Sequence, residues 1–349
     1  MSTRLTLSLD AMGGDKAPRM VIEGVDIALK GLPGVDFLLF GDESKLHELL
    51  EEFPSVKAAS QVRHTEDVVS NEESAGYALR GGRNSSMRLA INAVGNGEAD
   101  GVVSAGNTGA LMAMAKFVLK TLPGISRPAI AASLPTIRGE CVMLDLGANV
   151  ECNADNLVQF AIMGEVYSRN VMGVEQPLIG ILNVGEEDLK GNDAVKRAAT
   201  ILQEINLPIK FYGFIEGDDI AAGTVDVIIT DGFTGNVALK TAEGTAKLLV
   251  HFMKKALRGS MMARLGALLA RPALKSFNKH FDPRLYNGAM FLGLNGICVK
   301  SHGGTDGLGF ANAIEVAVKL ITDDLNEGIK IDFGSLEVER NGSRKATFP

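Results

Sequence analysis

The stretch LTLSLDAMGGDKAPRM, residues 5–20, contains the unit that decides the fold. Its leucines at positions 5, 7 and 9 alternate with polar residues, which predicts a β-strand with one buried face. Residues 10–15 form a loop of Gly and Asp, and Pro18 suits the first turn of a helix, where an N–H is not needed. The segment therefore predicts a strand, a tight loop and a helix in direct succession.

The same unit recurs along the chain. Five further apolar strands are each followed by a loop rich in Gly, Asn or Asp, at 37–40, 101–106, 141–145, 178–182 and 225–230. Helical periodicity follows four of these strands, at 111–122, 157–167, 195–202 and from Asn236 through Leu249. Alternating strands and helices of this length predict an α/β fold with a mostly parallel sheet covered by helices.

Composition limits the classes of function. The length of 349 residues suits two domains or one large α/β unit, and 46% hydrophobic with 22% charged residues is typical of a globular protein. The formal net charge is −7, aromatic residues make up 5% and Trp is absent. These values exclude a general binder of the nucleic-acid backbone and a base-stacking platform, so no nucleic-acid partner is expected.

The cysteines and the apolar runs indicate the compartment. Cys141, Cys152 and Cys298 show no paired spacing, which favours a reducing cytoplasm over a disulfide framework. The N-terminus has no apolar core of signal-peptide length, and no run approaches the 18 or so residues that cross a bilayer. We expect a cytoplasmic protein that at most lies on a membrane surface.

Several catalytic signatures are missing. The chain has no nucleoside-triphosphate P-loop, no dinucleotide fingerprint after a strand, no HExxH and no GxSxG. Its five histidines belong to no Ser/His/Asp or Cys/His signature. We therefore expect no covalent serine or cysteine nucleophile, no metal and no cofactor.

The loops that follow the strands point instead to an anion site. At the carboxyl edge of a parallel sheet such loops gather into one crevice, and helix N-termini there favour negative charge. The segment SAGNTG, residues 104–109, is the best phosphate cradle, with two hydroxyls, one amide and two glycines before a long apolar helix. Its alternative interpretation is an N-cap and a tight turn, but six such loops favour a ligand site.

Two lysines stand next to these loops. Lys190 follows NVGEEDL, residues 183–189, at the expected start of a helix, where a cation opposes the helix dipole. Lys240 follows Asn236 at a spacing that puts both residues on one helix face. Each lysine is either a solvated surface residue or a ligand-binding cation.

The stretch 251–285 differs from the rest because it carries eight Lys and Arg and a single acid, Asp282. An apolar stripe about 120° wide accompanies its basic residues. The residues that we expect to contact a membrane or a carrier protein are Lys254, Arg258, Met261, Met262, Arg264, Leu265, Leu268 and Leu269. Such a helix either lies on an anionic membrane or grips an acidic partner, or its apolar face packs on the core.

Five of these motifs, in order, resemble the bacterial phosphate acyltransferases of phospholipid synthesis, the PlsX family. They are DAMGGD at 10–15 with Pro18, SAGNTGA at 104–110, DLGAN at 145–149, NVGEEDLKG at 183–191, and DGFTGNVALK at 231–240. The resemblance covers residues 5 to 329. One departure is NGAMFLG at 287–293, where the family usually has GGAPLLG; the family pattern resumes at 295–303.

The resemblance implies reversible transfer of an acyl group from acyl-[acyl carrier protein] to inorganic phosphate. It also implies a three-layer α/β/α fold similar to phosphotransacetylases and isopropylmalate dehydrogenases, a homodimer, and a product that feeds a membrane glycerol-3-phosphate acyltransferase. We expect one large catalytic domain over 1–337 with a basic amphipathic helical insertion at about 251–285, and a loose polar tail at 338–349. The protein would be cytoplasmic and peripherally attached to the inner face of the membrane.

This reaction needs an anion cradle, a cation and oxyanion donors, because phosphate is already anionic and a thiol leaves readily. Lys190 and Asn236 are the candidate catalytic residues. The candidate substrate and phosphate ligands are Asp10, Gly13, Gly14, Ser104, Asn107, Thr108, Asp145, Asn149, Asp231 and Lys240. The alternatives are a phosphotransacetylase acting on acyl-CoA, a more distant dehydrogenase of the isopropylmalate type, and a non-catalytic membrane scaffold that recruits lipid enzymes.

Overall fold

The computed structural model describes residues 4–205, 209–280, 282 and 284–334. These residues form one sheet whose strands are β1 (Leu5–Asp10), β2 (Val35–Gly41), β3 (Ser60–His64), β4 (Gly101–Ser104), β5 (Ala129–Thr136), β6 (Gly139–Leu144), β7 (Leu178–Leu182), β8 (Lys210–Ile215), β9 (Val227–Ile229), β10 (Ala289–Leu292) and β11 (Ile297–Lys300). The tail expected at 338–349 and the domain end at 337 lie outside the described residues.

The helices up to β9 are α1 (Arg19–Leu29), α2 (Glu43–Leu50), α3 (Pro54–Ala59), α4 (Ala75–Gly81), α5 (Ser86–Gly95), α6 (Thr108–Leu119), α7 (Ala154–Asn170), α8 (Asp193–Glu204) and α9 (Gly217–Ala222). After β9 come α10 (Gly232–Arg258), α11 (Met261–Leu269), α12 (Arg271–His280) and α13 (Gly307–Thr322). Residues 325–334 are also helical. The strands and helices that the sequence predicts are all present, most of them within a few residues of their expected ends. The exception is α10, which continues to Arg258, nine residues past the predicted end at Leu249.

Alternate residues along each strand enter two separate hydrophobic clusters, one on each face of the sheet. Leu39 and Val103 belong to the cluster beneath α1, α7 and α13, whereas Leu38 and Val102 belong to the cluster beneath α5 and α6. Period-two alternation with apolar residues on both faces produces a sheet covered by helices on both sides. The prediction of an α/β fold with a largely parallel sheet is confirmed.

The sheet contains two parallel blocks that run in opposite directions. Its order is β3-β2-β1-β4-β11-β10-β5-β6-β9-β7-β8. The pairings β11–β10, β10–β5 and β5–β6 are antiparallel, and the other seven are parallel. The three antiparallel pairings reverse the chain direction between β11 and β6.

The register shows where the two blocks end. Val103 of β4 is level with Val299 of β11, and the pairing continues through Met290 and Ala131 to Leu144 of β6. The strands of the first block run toward this level from one side and end there, and those of the second block run toward it from the other side. The expectation of a single carboxyl edge is therefore wrong: two carboxyl edges meet near the middle of the sheet.

The basic stretch forms a projecting arm. Past Gly235, no described residue of α10, α11 or α12 is buried; we call this segment the helical arm. The apolar stripe of α11 faces solvent, with Met261 87% and Leu265 53% exposed. The interpretation that this face packs on the core of the chain is thus wrong. Among the described residues, no helix combines the length and the apolarity needed to cross a membrane.

The departure at 287–293 has a clear structural setting. Met290 lies in the central strand β10, is buried, and pairs with both Ala131 and Val299. Asn287 is buried and its amide donates to the Ser301 hydroxyl at 2.7 Å and to the Gly309 carbonyl at 2.6 Å. The segment therefore anchors the loop that follows β11.

Candidate active site

The first cluster of predicted residues centres on Asp10, at the end of β1. Its carboxylate accepts hydrogen bonds from the hydroxyls of Ser86 at 2.6 Å and Ser104 at 2.7 Å, and Ser104 in turn accepts from the Gly106 N–H at 3.1 Å. Burial raises the pKa of Asp10, and the two serine hydrogen bonds oppose this shift. Because Asp10 and Ser104 are buried, they hold the loops after β1 and β4 in place.

Gly13 and Gly14 let these loops come together. A Cβ at Gly13 would collide with the Asp10 carboxylate and would lie 2.8 Å from the Gly106 nitrogen. Gly14 has φ +106°, a conformation that side chains disfavour, and lies against Ala105. The two glycines therefore permit close packing of the loops after β1 and β4.

Asn107 and Thr108 begin α6 but differ in availability. The side-chain oxygen of Asn107 caps the helix by accepting a hydrogen bond from Ala110 N at 3.0 Å. Its amide donates to three carbonyls of the loop 70–73. The N-cap interpretation is thus right for the Asn107 side chain, which is fully engaged. Thr108 is exposed on the first turn and can still contact a ligand.

The second cluster centres on Asp145, immediately after β6. This fully buried carboxylate accepts five hydrogen bonds, from Ile130 N, Gly147 N, Ala148 N, Asn149 N and the Asn149 amide. Burial raises its pKa, and these donors oppose the shift. The Asn149 amide also donates to Pro128 O at 2.8 Å. Asp145 and Asn149 therefore shape the loop from within.

The start of α10 rests on that loop. Asp231 caps the helix by accepting from the Thr234 N–H at 2.9 Å and its hydroxyl at 2.8 Å. Gly232 N donates to Asn149 O at 2.7 Å. The exposed Asn236 lies one turn further along α10, close to Gly147 of the Asp145 loop. A Cβ added at Gly147 would lie 3.7 Å from the Cβ of Asn236. The Asp145 loop thus positions Asn236 at the surface.

Lys190 lies in the loop between β7 and α8. Asn183 stabilises this loop by donating to Gly185 O at 3.0 Å and to Lys190 O at 3.2 Å. The Lys190 ammonium is exposed and lies 3.6 Å from a Glu187 carboxylate oxygen. Since α8 begins at Asp193, the expectation that Lys190 opens a helix is wrong, and the dipole argument does not apply. β7 and β9 are neighbours, so the loops carrying Lys190 and Asn236 leave adjacent strands.

Lys240 shares one face of α10 with Asn236 and approaches the first cluster. It forms an ion pair with Glu243 at 3.0 Å. Its charge is close enough to Lys300 and His302 to lower the pKa of both groups. The helix α10 therefore begins at the second cluster, and the charge of Lys240, one turn past Asn236, acts on Lys300 beside the first cluster.

Lys300 and His302 were not predicted. Burial lowers the pKa of Lys300 to about 8, with Asp10 and Asp15 opposing the shift, and its ammonium donates to the carbonyls of Ala105 and Ser301. Partial burial, followed by the charges of Lys240 and Lys300, lowers the pKa of His302. The available signal was a lysine and a histidine directly after the apolar run at 297–299.

The thiols of the described residues are poor nucleophiles. Cys152 lies beside the second cluster, where burial and the charges of Asp145 and Asp231 raise its pKa to about 11. Burial likewise raises the pKa of Cys141, to about 12, and that of Cys298. A thiol of this kind stays protonated at neutral pH. The geometry thus offers donors, cations and an exposed hydroxyl around two facing loop clusters.

Comparisons with known proteins agree with that chemistry. Residues 5–327 match the profile of a family described as a fatty acid synthesis protein. A phosphate acyltransferase of Paramagnetospirillum magneticum is 60% identical over 337 residues, covering 97% of this chain and 96% of its own length. The chain belongs to the phosphate acyltransferase family. The phosphate acyltransferase of Rhodospirillum centenum is also 60% identical, over 97% of this chain and 95% of its own.

Solved structures support the fold of this acyltransferase. A phosphotransacetylase from Streptococcus pyogenes superposes with a TM-score of 0.60 at 17% identity, covering 93% of this chain and 95% of its own. One from Staphylococcus aureus gives 0.55 at 17% identity, over 93% and 94%. The predicted phosphotransacetylase-like fold is confirmed. Because the family is one of enzymes, a purely non-catalytic scaffold is excluded as the whole function.

Proposed function

We propose that this acyltransferase moves a long-chain fatty acyl group from acyl-[acyl carrier protein] to inorganic phosphate, giving acyl phosphate for phospholipid synthesis. Family membership supports acyl transfer to phosphate; the donor and the pathway are the proposed part. The observation that carries the proposal is that Asn236 and Lys240 lie at the start of the helical arm, whose later part is basic and exposes apolar side chains.

The helical arm suits both partners of such a reaction. Its net positive stretch at 251–285 complements an acidic carrier protein and an anionic lipid surface. The Met and Leu side chains of α11 are all more than half exposed and would bury surface on a membrane. We include in this proposal a homodimer, attachment to the inner face of the membrane, and delivery of product to a membrane glycerol-3-phosphate acyltransferase.

Apolar side chains also surround the candidate catalytic pair. Val184 and Leu189, on the loop of Lys190, are 76% and 92% exposed. Phe233 and Val237, next to Asn236 on α10, are 63% and 50% exposed. Apolar surface left open beside two polar catalytic candidates favours a substrate with a long hydrocarbon chain.

The chemistry follows from these positions. A phosphate oxygen attacks the thioester carbon, the C–S bond breaks, and the electron pair leaves on the carrier's sulfur. Lys190 and the Asn236 amide would stabilise the developing oxyanion, since both end in exposed donors on adjacent loops. Lys240 and the Thr108 hydroxyl would hold phosphate. Asp10, Asp145 and Asp231 would keep the loops in shape.

Thiol release from a long-chain acyl carrier protein tests the proposal. Purified enzyme should release thiol only when inorganic phosphate is present, with acyl phosphate as the co-product. Release from acyl-CoA but not from the carrier would replace the proposal with a phosphotransacetylase of the acyl-CoA type. Release without phosphate would contradict acyl transfer to phosphate.

Liposome flotation tests membrane binding by the arm. The double variant Leu265→Glu/Leu268→Glu should bind anionic vesicles more weakly, by more than about tenfold for each leucine, because each loses its apolar transfer energy. Ile137→Glu is the matched control, since Ile137 is 86% exposed on the β5–β6 turn, away from the arm. Undiminished binding by the double variant would reject the membrane role of α11.

A further inference from the structure

The layer of α4, α5 and α6, in which α6 packs against both other helices, carries no negative charge. Residues 74–97 and 101–139, which contain the three helices, include no Asp or Glu, although acids outnumber Lys and Arg by 42 to 35 in the whole chain. The cations of this layer, which we call the basic face, are Arg80, Arg83, Arg88 and Lys116. Among the described residues, none of the four takes part in a salt bridge. The basic face is therefore a positive patch on an acidic protein.

The cations of the basic face lie close to one another and to an aromatic ring. The Arg88 guanidinium stands over the ring of Phe117, with its central carbon 5.0 Å from the ring centroid. Its Nε donates to the Asn92 side-chain oxygen at 3.1 Å. Partial burial, followed by the nearby charge of Arg83, lowers the pKa of Arg88. Like charges thus remain together without a carboxylate to offset them, and the ring and the amide hold Arg88 in one orientation.

The exposed apolar area of the basic face is aromatic. Tyr77 of α4 and Phe117 of α6 are each 63% exposed, whereas no large aliphatic side chain of α4, α5 or α6 is exposed. Tyr and Arg are enriched at the centres of protein interfaces, and a guanidinium held against a ring loses little freedom on binding. Guanidinium groups also pair well with carboxylates. This chemistry suits an acidic protein surface, whereas the Met and Leu stripe of α11 suits a lipid surface.

We propose that the basic face is the docking surface for the acidic acyl carrier protein, and that the helical arm is left to the lipid surface. The inference rests on the proposed function, because it names where that donor protein binds. The helix α6 begins at the first cluster, with Thr108, and Phe117 lies about 14 Å further along it. A carrier docked around Phe117 therefore needs an arm about as long as four extended residues to reach the first cluster.

Calorimetric titration with acyl-free acyl carrier protein tests the docking surface without turnover. The double variant Arg80→Glu/Arg83→Glu should raise the Kd by about tenfold to a hundredfold, because each reversal replaces attraction to a carboxylate with repulsion. Lys210→Glu/Lys319→Glu is the matched control. Both lysines are exposed, neither forms a salt bridge among the described residues, and the net charge changes equally. The control should bind the carrier like wild type.

A variant of the helical arm separates the two surfaces. Lys254→Glu/Arg258→Glu should weaken binding to vesicles of phosphatidylglycerol and phosphatidylcholine but leave the Kd for the carrier unchanged. Arg80→Glu/Arg83→Glu should have the opposite pattern. If only the arm variant weakens carrier binding, the carrier docks on the arm and the proposal is wrong. If the variant of the basic face weakens binding to the vesicles alone, that face binds lipid and the proposal is again wrong.

The aromatic ring provides a test that does not change the charge. Phe117→Ala should raise the Kd for the carrier by about fivefold to tenfold, the loss typical of truncating an interface anchor. Thermal unfolding should match wild type in every variant, since the replaced side chains are exposed. An unchanged Kd in both Phe117→Ala and Arg80→Glu/Arg83→Glu would overturn the proposal.

The same titrations distinguish a failure of docking from a failure of the proposed function. If wild-type enzyme binds the carrier but releases no thiol from its acyl form, the proposed function fails, and the variants still decide where the carrier docks. If wild-type enzyme turns over the acyl carrier protein with an affinity that Arg80→Glu/Arg83→Glu leaves unchanged, the function stands and the docking surface is wrong. Absence of carrier binding by wild type would reject the docking surface outright.

Discussion

Replacing Lys190 by alanine is expected to lower kcat by about 10²- to 10³-fold, the loss typical of removing one oxyanion donor. The side chain is exposed, and among the described residues its ammonium pairs only with Glu187, at 3.6 Å, so no buried surface is lost. Its backbone, which anchors the Asn183 loop through Lys190 O, is unchanged by the substitution. The free energy of unfolding should therefore stay within about 0.5 kcal/mol of wild type.

Phosphate-dependent thiol release and chemical denaturation measure the two effects separately. Lys196→Ala is the matched control, because Lys196 is another lysine paired with a carboxylate three residues away, at 3.3 Å, and its side chain is also partly open to solvent. The control should keep wild-type turnover. Near-normal kcat in Lys190→Ala would remove Lys190 from the catalytic assignment, whereas an equal loss in the control would indicate a general effect of charge.

Replacing Gly235 by alanine is expected to destabilise the protein by more than about 3 kcal/mol, the upper range for overpacking. A Cβ at this position would overlap the backbone carbonyl oxygen of Asp145 and would lie 2.9 Å from the Thr230 side chain. The backbone of Asp145 cannot move away easily, because its carboxylate accepts four hydrogen bonds from its own loop and one from Ile130 of β5. Activity should fall together with stability, because the start of α10 would no longer pack on the Asp145 loop and Asn236 would be displaced.

Gly244→Ala provides the control within the same helix. Nothing lies within 4 Å of a Cβ at Gly244, so alanine there should stabilise the helix by about 1 kcal/mol. Thermal or denaturant unfolding of the two variants should therefore shift in opposite directions. A Gly235→Ala protein as stable as wild type would contradict the close packing of α10 against the Asp145 loop.

The elements of the fold were accessible from the sequence because strand and helix periodicities are local. Alternating leucines at 5–9 and apolar runs such as 178–182 predict strands within one or two residues of their ends. The central strands β5 and β10 were not predicted as part of the sheet. Their pairing with each other is a long-range contact, and together with the antiparallel pairings β10–β11 and β5–β6 it reverses the second block.

The site was only partly accessible, since residue type reveals the chemistry of a side chain but not its exposure. The sequence placed Asp10 and Asp145 among ligands, whereas burial makes them organisers of loops. Asn107 is occupied by capping and by the loop 70–73. The role of Lys300 was not predicted because its ammonium donates to the carbonyl of Ala105, a residue 195 positions away in the chain.

The sequence by itself determined the α/β class, the Gly-rich loops after the strands, the family motifs in their order, and the basic apolar character of 251–285. Each of these depends on residue type and short-range spacing. The tertiary structure alone decided that two carboxyl edges meet, that α10 begins on the Asp145 loop, and that the apolar stripe of α11 stays exposed. Those outcomes depend on strand pairing and burial between distant segments, which no local pattern encodes.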